Sequence, residues 1–133
     1  MFLNALSIED KHKFLGFLYI TAKIDGALKD CEIAHISAYA AEMGIANTDN
    51  STESLDQIIS HFKSRPEAIR KIVTAELLAL AHIDNEFHCA EEILINAAEE
   101  EFLLPQEFKA DVIDWITAIQ PLYTKGFKLV GLA

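Results

Sequence analysis

Two stretches that repeat each other decide the fold. The first is Ala22-Lys23-Ile24-Asp25-Gly26-Ala27-Leu28, with Glu32 four residues further on. The second is Ala81-His82-Ile83-Asp84-Asn85-Glu86-Phe87, with Glu91 at the same remove. At a constant offset of 59, residues 18–42 align with 77–101 without a gap. Leu18/Leu77, Ala22/Ala81, Ile24/Ile83, Asp25/Asp84, Glu32/Glu91, Ile36/Ile95, Ala38/Ala97 and Glu42/Glu101 are identical pairs. The repeated unit reads as a helix, a corner and a second helix. Asp sits at the corner, and Glu follows seven residues on, near the start of the second helix. Two such hairpins can pack about a pseudo-twofold axis. Two copies make a duplication rather than a solenoid, which needs three or more stacked units.

The flanking sequence is helical as well. With only 5 Gly and 3 Pro in 133 residues, few positions break a helix. Ser7 and Asp10 form a capping pattern ahead of Phe14, Leu15, Phe17, Leu18 and Ala22. A second helix is expected from Asp30 to Met43, with Ile33, Ile36, Ala40 and Met43 inward and Gly44 as its stop. Residues 46–52 read as a loop. A short helix carrying Leu55, Ile58, Ile59 and Phe62 follows. Ser64-Arg65-Pro66-Glu67 is expected to open a long one, with Ser64 as cap and Ile69, Ile72, Val73, Leu77, Leu80 and Ala81 inward. Another is expected at about Cys89–Phe102. A further one starts at Pro105 and Glu107 and holds Val112, Trp115, Ile116 and Ile119. Pro121 is expected to break it, leaving a short C-terminal piece. The expectation is an all-α single domain over residues 1–133, with six to seven helices and two pseudo-symmetric hairpins.

The corners carry the chemistry. An Asp in the last turn of a helix faces the negative end of its dipole, at a cost of roughly 0.3–1 kcal/mol. Its recurrence at both corners points to a compensating cation. Asp25 with Glu32, and Asp84 with Glu91, offer hard oxygen donors that suit Mg²⁺ or Ca²⁺. Neither corner has the alternating carboxylates of an EF-hand. The second corner also holds His82, Glu86, His88 and Cys89, donors that suit Zn²⁺, although their spacing matches no standard zinc motif. The other reading is that Asp and Asn simply end a helix at a solvated acidic corner.

This pattern resembles the tellurite-resistance TerB-like family. The resemblance spans roughly residues 10–105. It implies an all-helical domain of two related halves, divalent-cation binding at Asp25, Glu32, Asp84 and Glu91, and a setting in stress or tellurite response. Ala27 stands where the family commonly has an acidic residue, and Asn85 replaces the corner Gly. Asn tolerates the left-handed conformation such a turn uses.

Charge narrows the partners. Eleven Lys and Arg against 21 Asp and Glu give a net charge of −10. That disfavours nucleic acid and anionic membrane surfaces, both of which need a basic face. Between Glu76 and Asp114 there are eleven acidic residues and one basic residue, Lys109. Such a face can dock a basic protein partner. From Thr124 onward the sequence is apolar with two lysines, suited to docking on its own domain or on a second subunit of a homo-oligomer. No apolar run approaches the roughly 20 residues of a membrane span, no basic leader is present, and Cys31 and Cys89 form no CxxC pair. A cytoplasmic protein is expected. Glu32-Ile33-Ala34-His35 has the Glu-x-x-His form of di-iron bundles, but Leu94 stands where the second His would be. No nucleophile elbow or Gly-rich phosphate loop is present, so no enzyme is expected.

Overall fold

Ser7 starts the first long helix. Its hydroxyl accepts from the Asp10 amide at 3.1 Å, closing one of the unpaired donors at the helix start. This helix, α1 (Ile8–Ala22), belongs to a computed structural model that describes residues 1–23, 30–48, 52–83 and 100–132, with backbone alone for 31–32 and 81–83. α1 is preceded by a 3₁₀ turn, Leu3–Ala5, and followed by α2 (Asp30–Met43), α3 (Leu55–Lys63), α4 (Glu67–Ile83) and α5 (Gln106–Leu129). The described residues are helical, with no strand among them. The helix expected near Cys89–Phe102 lies almost wholly outside them, as do both corners.

α1 is buried on nearly every side. Phe14, Leu15, Phe17, Leu18 and Ala22 are all in the core, as their spacing predicts, and Gly16, Tyr19 and Thr21 join them. Each large apolar side chain so buried contributes roughly 1.5–3 kcal/mol. α2 and α3 pack against α1, while α4 packs against α3 and α5. The buried apolar residues of all five helices and the 3₁₀ turn form one cluster. α1 and α4 share a burial pattern at the repeat offset. Phe14, Leu15, Phe17, Leu18 and Thr21 are buried, and so are Val73, Thr74, Glu76, Leu77 and Leu80.

Helix ends follow local chemistry. Gly44 takes φ +68° after α2, with Gly44 N–H donating to Ala41 O and Ile45 N–H to Ala40 O, both at 3.1 Å. This is a Schellman ending, and the left-handed φ is what requires glycine there. Gly131 (φ +76°) ends α5 the same way, with Leu132 N–H donating to Phe127 O at 2.9 Å.

Four expectations are corrected. Ser64 caps the end of α3, donating from Oγ to His61 O at 2.6 Å; the first carbonyl of α4 is that of Pro66, which accepts from Ile69 and Arg70. Ile33 is exposed rather than inward. Trp115 is 37% exposed and lies against Phe2, at 5.6 Å between ring centroids, rather than in the core. Pro121 does not break α5, which runs through it to Leu129. Proline removes one amide and leaves the carbonyl four residues earlier, on Thr117, without its helical donor. Thr117 and Pro121 are both exposed, so the freed carbonyl is open to solvent and its cost is small.

Candidate functional site

None of the residues proposed from sequence as metal ligands can be placed by its side chain. Asp25, Asp84, Glu86, His88 and Glu91 lie outside the described residues, and Glu32 and His82 are described by backbone only, in α2 and α4. Among the described residues, no three His, Cys, Asp or Glu gather as a metal site. His35, half-buried on α2, belongs to no such group.

Two polar centres, each built on a buried carboxylate, are described instead. The first forms around Asp10, which α1 carries in its first turn and which is 0% exposed. His61, in the last turn of α3, places Nε2 2.7 Å from Oδ1. Arg65, between α3 and α4, donates to Oδ2 from Nε at 3.1 Å and from its terminal nitrogen at 2.9 Å. Burial pushes the Asp10 carboxyl up, but hydrogen bonds from His61, Ser7 and Arg65 and the guanidinium charge outweigh it and hold the group below its ordinary value. Both oxygens are engaged, so the arrangement acts as a lock joining the start of α1 to the α3–α4 junction. Arg70 extends the junction, donating to Arg65 O at 3.1 Å and to Phe102 O at 2.7 Å.

The second centre holds a cation. Glu42 near the end of α2 and Glu76 in α4 meet at the Met1 ammonium, with N···O distances of 2.6 and 2.8 Å. Glu76 is only 5% exposed and also accepts from the Phe2 amide at 2.7 Å. Burial lowers the ammonium pKa, but hydrogen bonds to Glu42 and Glu76 and their charges prevail and raise it. Glu101, the repeat counterpart of Glu42, also faces a cation, with Lys63 Nζ at 3.4 Å.

Sequence reasoning passed over both centres. Asp10 read as a cap and Glu76 as part of an acidic face. The available signal was Glu76 within an apolar run, Val73 to Leu80, where an acid needs a partner.

Of the acidic stretch, Glu107, Asp111 and Asp114 are exposed along α5. Beside it lies an apolar groove of about 320 Å³, with Phe2, Ile72, Phe108 and Trp115 in its walls and Lys71 and Asp111 at its edge. Further along α5, every described residue from Gln120 to Leu132 is exposed. Among them, Leu122 is 66% and Leu129 77% exposed. The apolar tail therefore does not dock on the described part of its own domain. No described helix is long and apolar enough to cross a membrane.

No protein-family model matches the chain, and no curated protein or solved structure matches it either. The resemblance to the TerB-like family rests on the residues quoted above.

Proposed function

We propose that this chain is a TerB-like helical module that binds divalent cations at its repeated acidic corners. The observation that carries this reading is the recurrence of Asp25…Glu32 as Asp84…Glu91 at one offset. The shared burial pattern of α1 and α4, which run up to the two corners, supports it. The donor set is carboxylate oxygen, suited to Mg²⁺ or Ca²⁺, and Glu86, His82 and His88 would join Asp84 and Glu91 for a transition metal such as Zn²⁺. Stress or tellurite response as its setting comes from the resemblance alone.

Calorimetric titration of chelator-treated protein with Mg²⁺, Ca²⁺, Mn²⁺ and Zn²⁺ tests the reading. At least one ion is expected to bind more tightly than about 1 mM, which corresponds to roughly 4 kcal/mol. Asp84→Asn with Glu91→Gln is expected to remove binding at the second corner, and Asp25→Asn with Glu32→Gln binding at the first. If no ion binds more tightly than this, the reading fails.

A second reading, a helical interaction module without metal, is favoured by the exposed apolar length of α5 beside the acidic Glu107, Asp111 and Asp114. On that reading a basic protein partner meets the acidic face, and its binding weakens steeply with added salt.

A further inference from the structure

We propose that two copies of the chain meet through a short coiled-coil seam, residues 119–130 of one lying antiparallel along residues 119–130 of the other. The first half of α5 stays in its own core, and the corner residues of the cation reading take no part.

The spacing along α5 draws the seam. Val112, Ile116, Ile119, Tyr123, Gly126 and Val130 recur at alternating steps of four and three, the a and d positions of a coiled coil. Val112 and Ile116 are buried in the chain's own core. From Ile119 onward the seam is an open apolar groove of about 440 Å³, edged by Leu122 and Phe127. At 3.6 residues per turn, Asp114, Lys125 and Lys128 fall on the opposite side of the helix, so no charge enters the seam.

Gly126 is the residue that the chain itself does not explain. Glycine inside a helix costs roughly 1 kcal/mol against alanine. A Cβ at Gly126 would meet nothing within 4 Å, and its backbone does not take the positive φ of Gly44 and Gly131. Close approach from outside supplies the reason. In an antiparallel pair each a residue meets a d residue of the partner. Crossing between Thr124 and Lys125 sets Tyr123 against the partner's Gly126 and Ile119 against the partner's Val130. Every layer is then filled, the inner two by a large residue on a small one. Tyr123 is free to do this, being half exposed and touching its own chain through a hydroxyl 3.7 Å from Met1 Sδ. Parallel pairing would set Tyr123 on Tyr123 and Gly126 on Gly126, crowding one layer and emptying another.

Length and area also fit a second copy. Gly131, at φ +76°, turns the chain aside just past Val130. The partner's helix therefore stops opposite Ile119, where the chain's own core takes over the seam. Leu122, Tyr123, Phe127, Leu129 and Val130 are between 50% and 77% exposed. Side chains of this size together present on the order of 500 Å². Two copies bury about 1,000 Å², enough for a complementary interface of modest affinity. A bilayer fits poorly, because the body of the chain lies on the seam side of α5 and the lysines face away from it. The pairing is isologous and closes as a twofold dimer.

Sedimentation of the full chain over a concentration series tests the pairing. A monomer–dimer equilibrium is expected, tighter than about 1 mM. Tyr123→Ala hollows a layer and Gly126→Tyr crowds one. Each is expected to weaken the dimer about tenfold or more with helical circular dichroism unchanged. Together they rebuild a large-on-small layer and are expected to return the dimer to within about threefold of the parent. Ile119→Cys with Val130→Cys is expected to give, on oxidation, an interchain disulfide joining positions 119 and 130. Those positions are about 16 Å apart within one helix, so peptide mapping of that bond reports two chains. Bonds joining 119 to 119 and 130 to 130 overturn the proposal, as does a monomer up to about 1 mM. A dimer that Gly126→Tyr tightens also overturns it, and so does a monomer that sediments with anionic vesicles.

Discussion

The buried carboxylate of Asp10 shows how one residue ties distant segments together. Its folded pKa is lowered, so its contribution to stability is present above the ordinary carboxylate range and is lost as the pH falls through the lowered value. Asp10→Asn leaves the Arg65 guanidinium without its counter-charge and is expected to cost about 2–3 kcal/mol at pH 7. In denaturant melts the gap between parent and variant should begin to shrink below about pH 4, where the unfolded carboxylate protonates, and close once the pH is below the lowered folded value, where the folded parent is protonated too. An unchanged gap would mean the carboxylate acts by shape alone. A second residue makes the opposite case. Leu103 holds φ 55° and is exposed, so its backbone is strained without burying the side chain. Left-handed backbone costs an ordinary residue roughly 1–2 kcal/mol. Part of that is offset by glycine's greater freedom when unfolded, so Leu103→Gly should stabilise by about 0.5–1 kcal/mol in a thermal melt. Neither residue declared itself in the sequence. Asp10 sits where a cap is ordinary, and its partners lie 51 and 55 residues away. Leu103 has no feature that marks a left-handed turn.

At the scale of elements the sequence was easiest to read where a helix faces the core. Apolar spacing located α1, α3 and α4 and their buried residues, and Gly44 marked the end of α2. Reading failed where exposure, not pattern, decides. Ser64 was equally able to end one helix or begin the next, and the hydrogen bond to His61 settles it. Pro121 was read as a break because proline is costly inside a packed helix. On an exposed helix the freed carbonyl is open to solvent and the cost falls. The prediction that belongs here is local. Pro121→Ala restores one amide donor in the middle of α5 and should slow amide exchange over residues 117–129, by about 1–2 kcal/mol of local opening. The global melting temperature should scarcely change, because the described residues of that half of α5 are all exposed from Gln120 onward. If the gain appears equally in global unfolding, the C-terminal half is more firmly tied to the core than its exposure indicates.

For the whole molecule the question is whether the net charge of −10 is merely carried or is organised. Self-repulsion alone predicts that any salt stabilises the fold, with NaCl and MgCl₂ equivalent at equal ionic strength. Bound cations predict something further, because an ion that binds only the folded state stabilises it by RT ln(1 + [L]/Kd), about 2.7 kcal/mol at a hundred times Kd. The repeat of Asp and Glu at matching offsets was legible in the sequence, but the side-chain geometry that makes a ligand set is not written in spacing. The cations that meet Glu42, Glu76 and Glu101, the Met1 ammonium and Lys63, belong to the chain itself. Melting at matched ionic strength separates the two cases. We expect Mg²⁺ or Ca²⁺ to raise the melting temperature beyond NaCl, with an excess that grows with the logarithm of concentration. Asp84→Asn with Glu91→Gln should remove the second corner's share of the excess and keep the common salt response, since lowering the acidity by two charges leaves most of the repulsion in place. An excess that the double variant leaves undiminished moves the ion away from the second corner. Equal responses in the parent would reduce the repeated carboxylates to helix ends, and the acidity to a solvated surface.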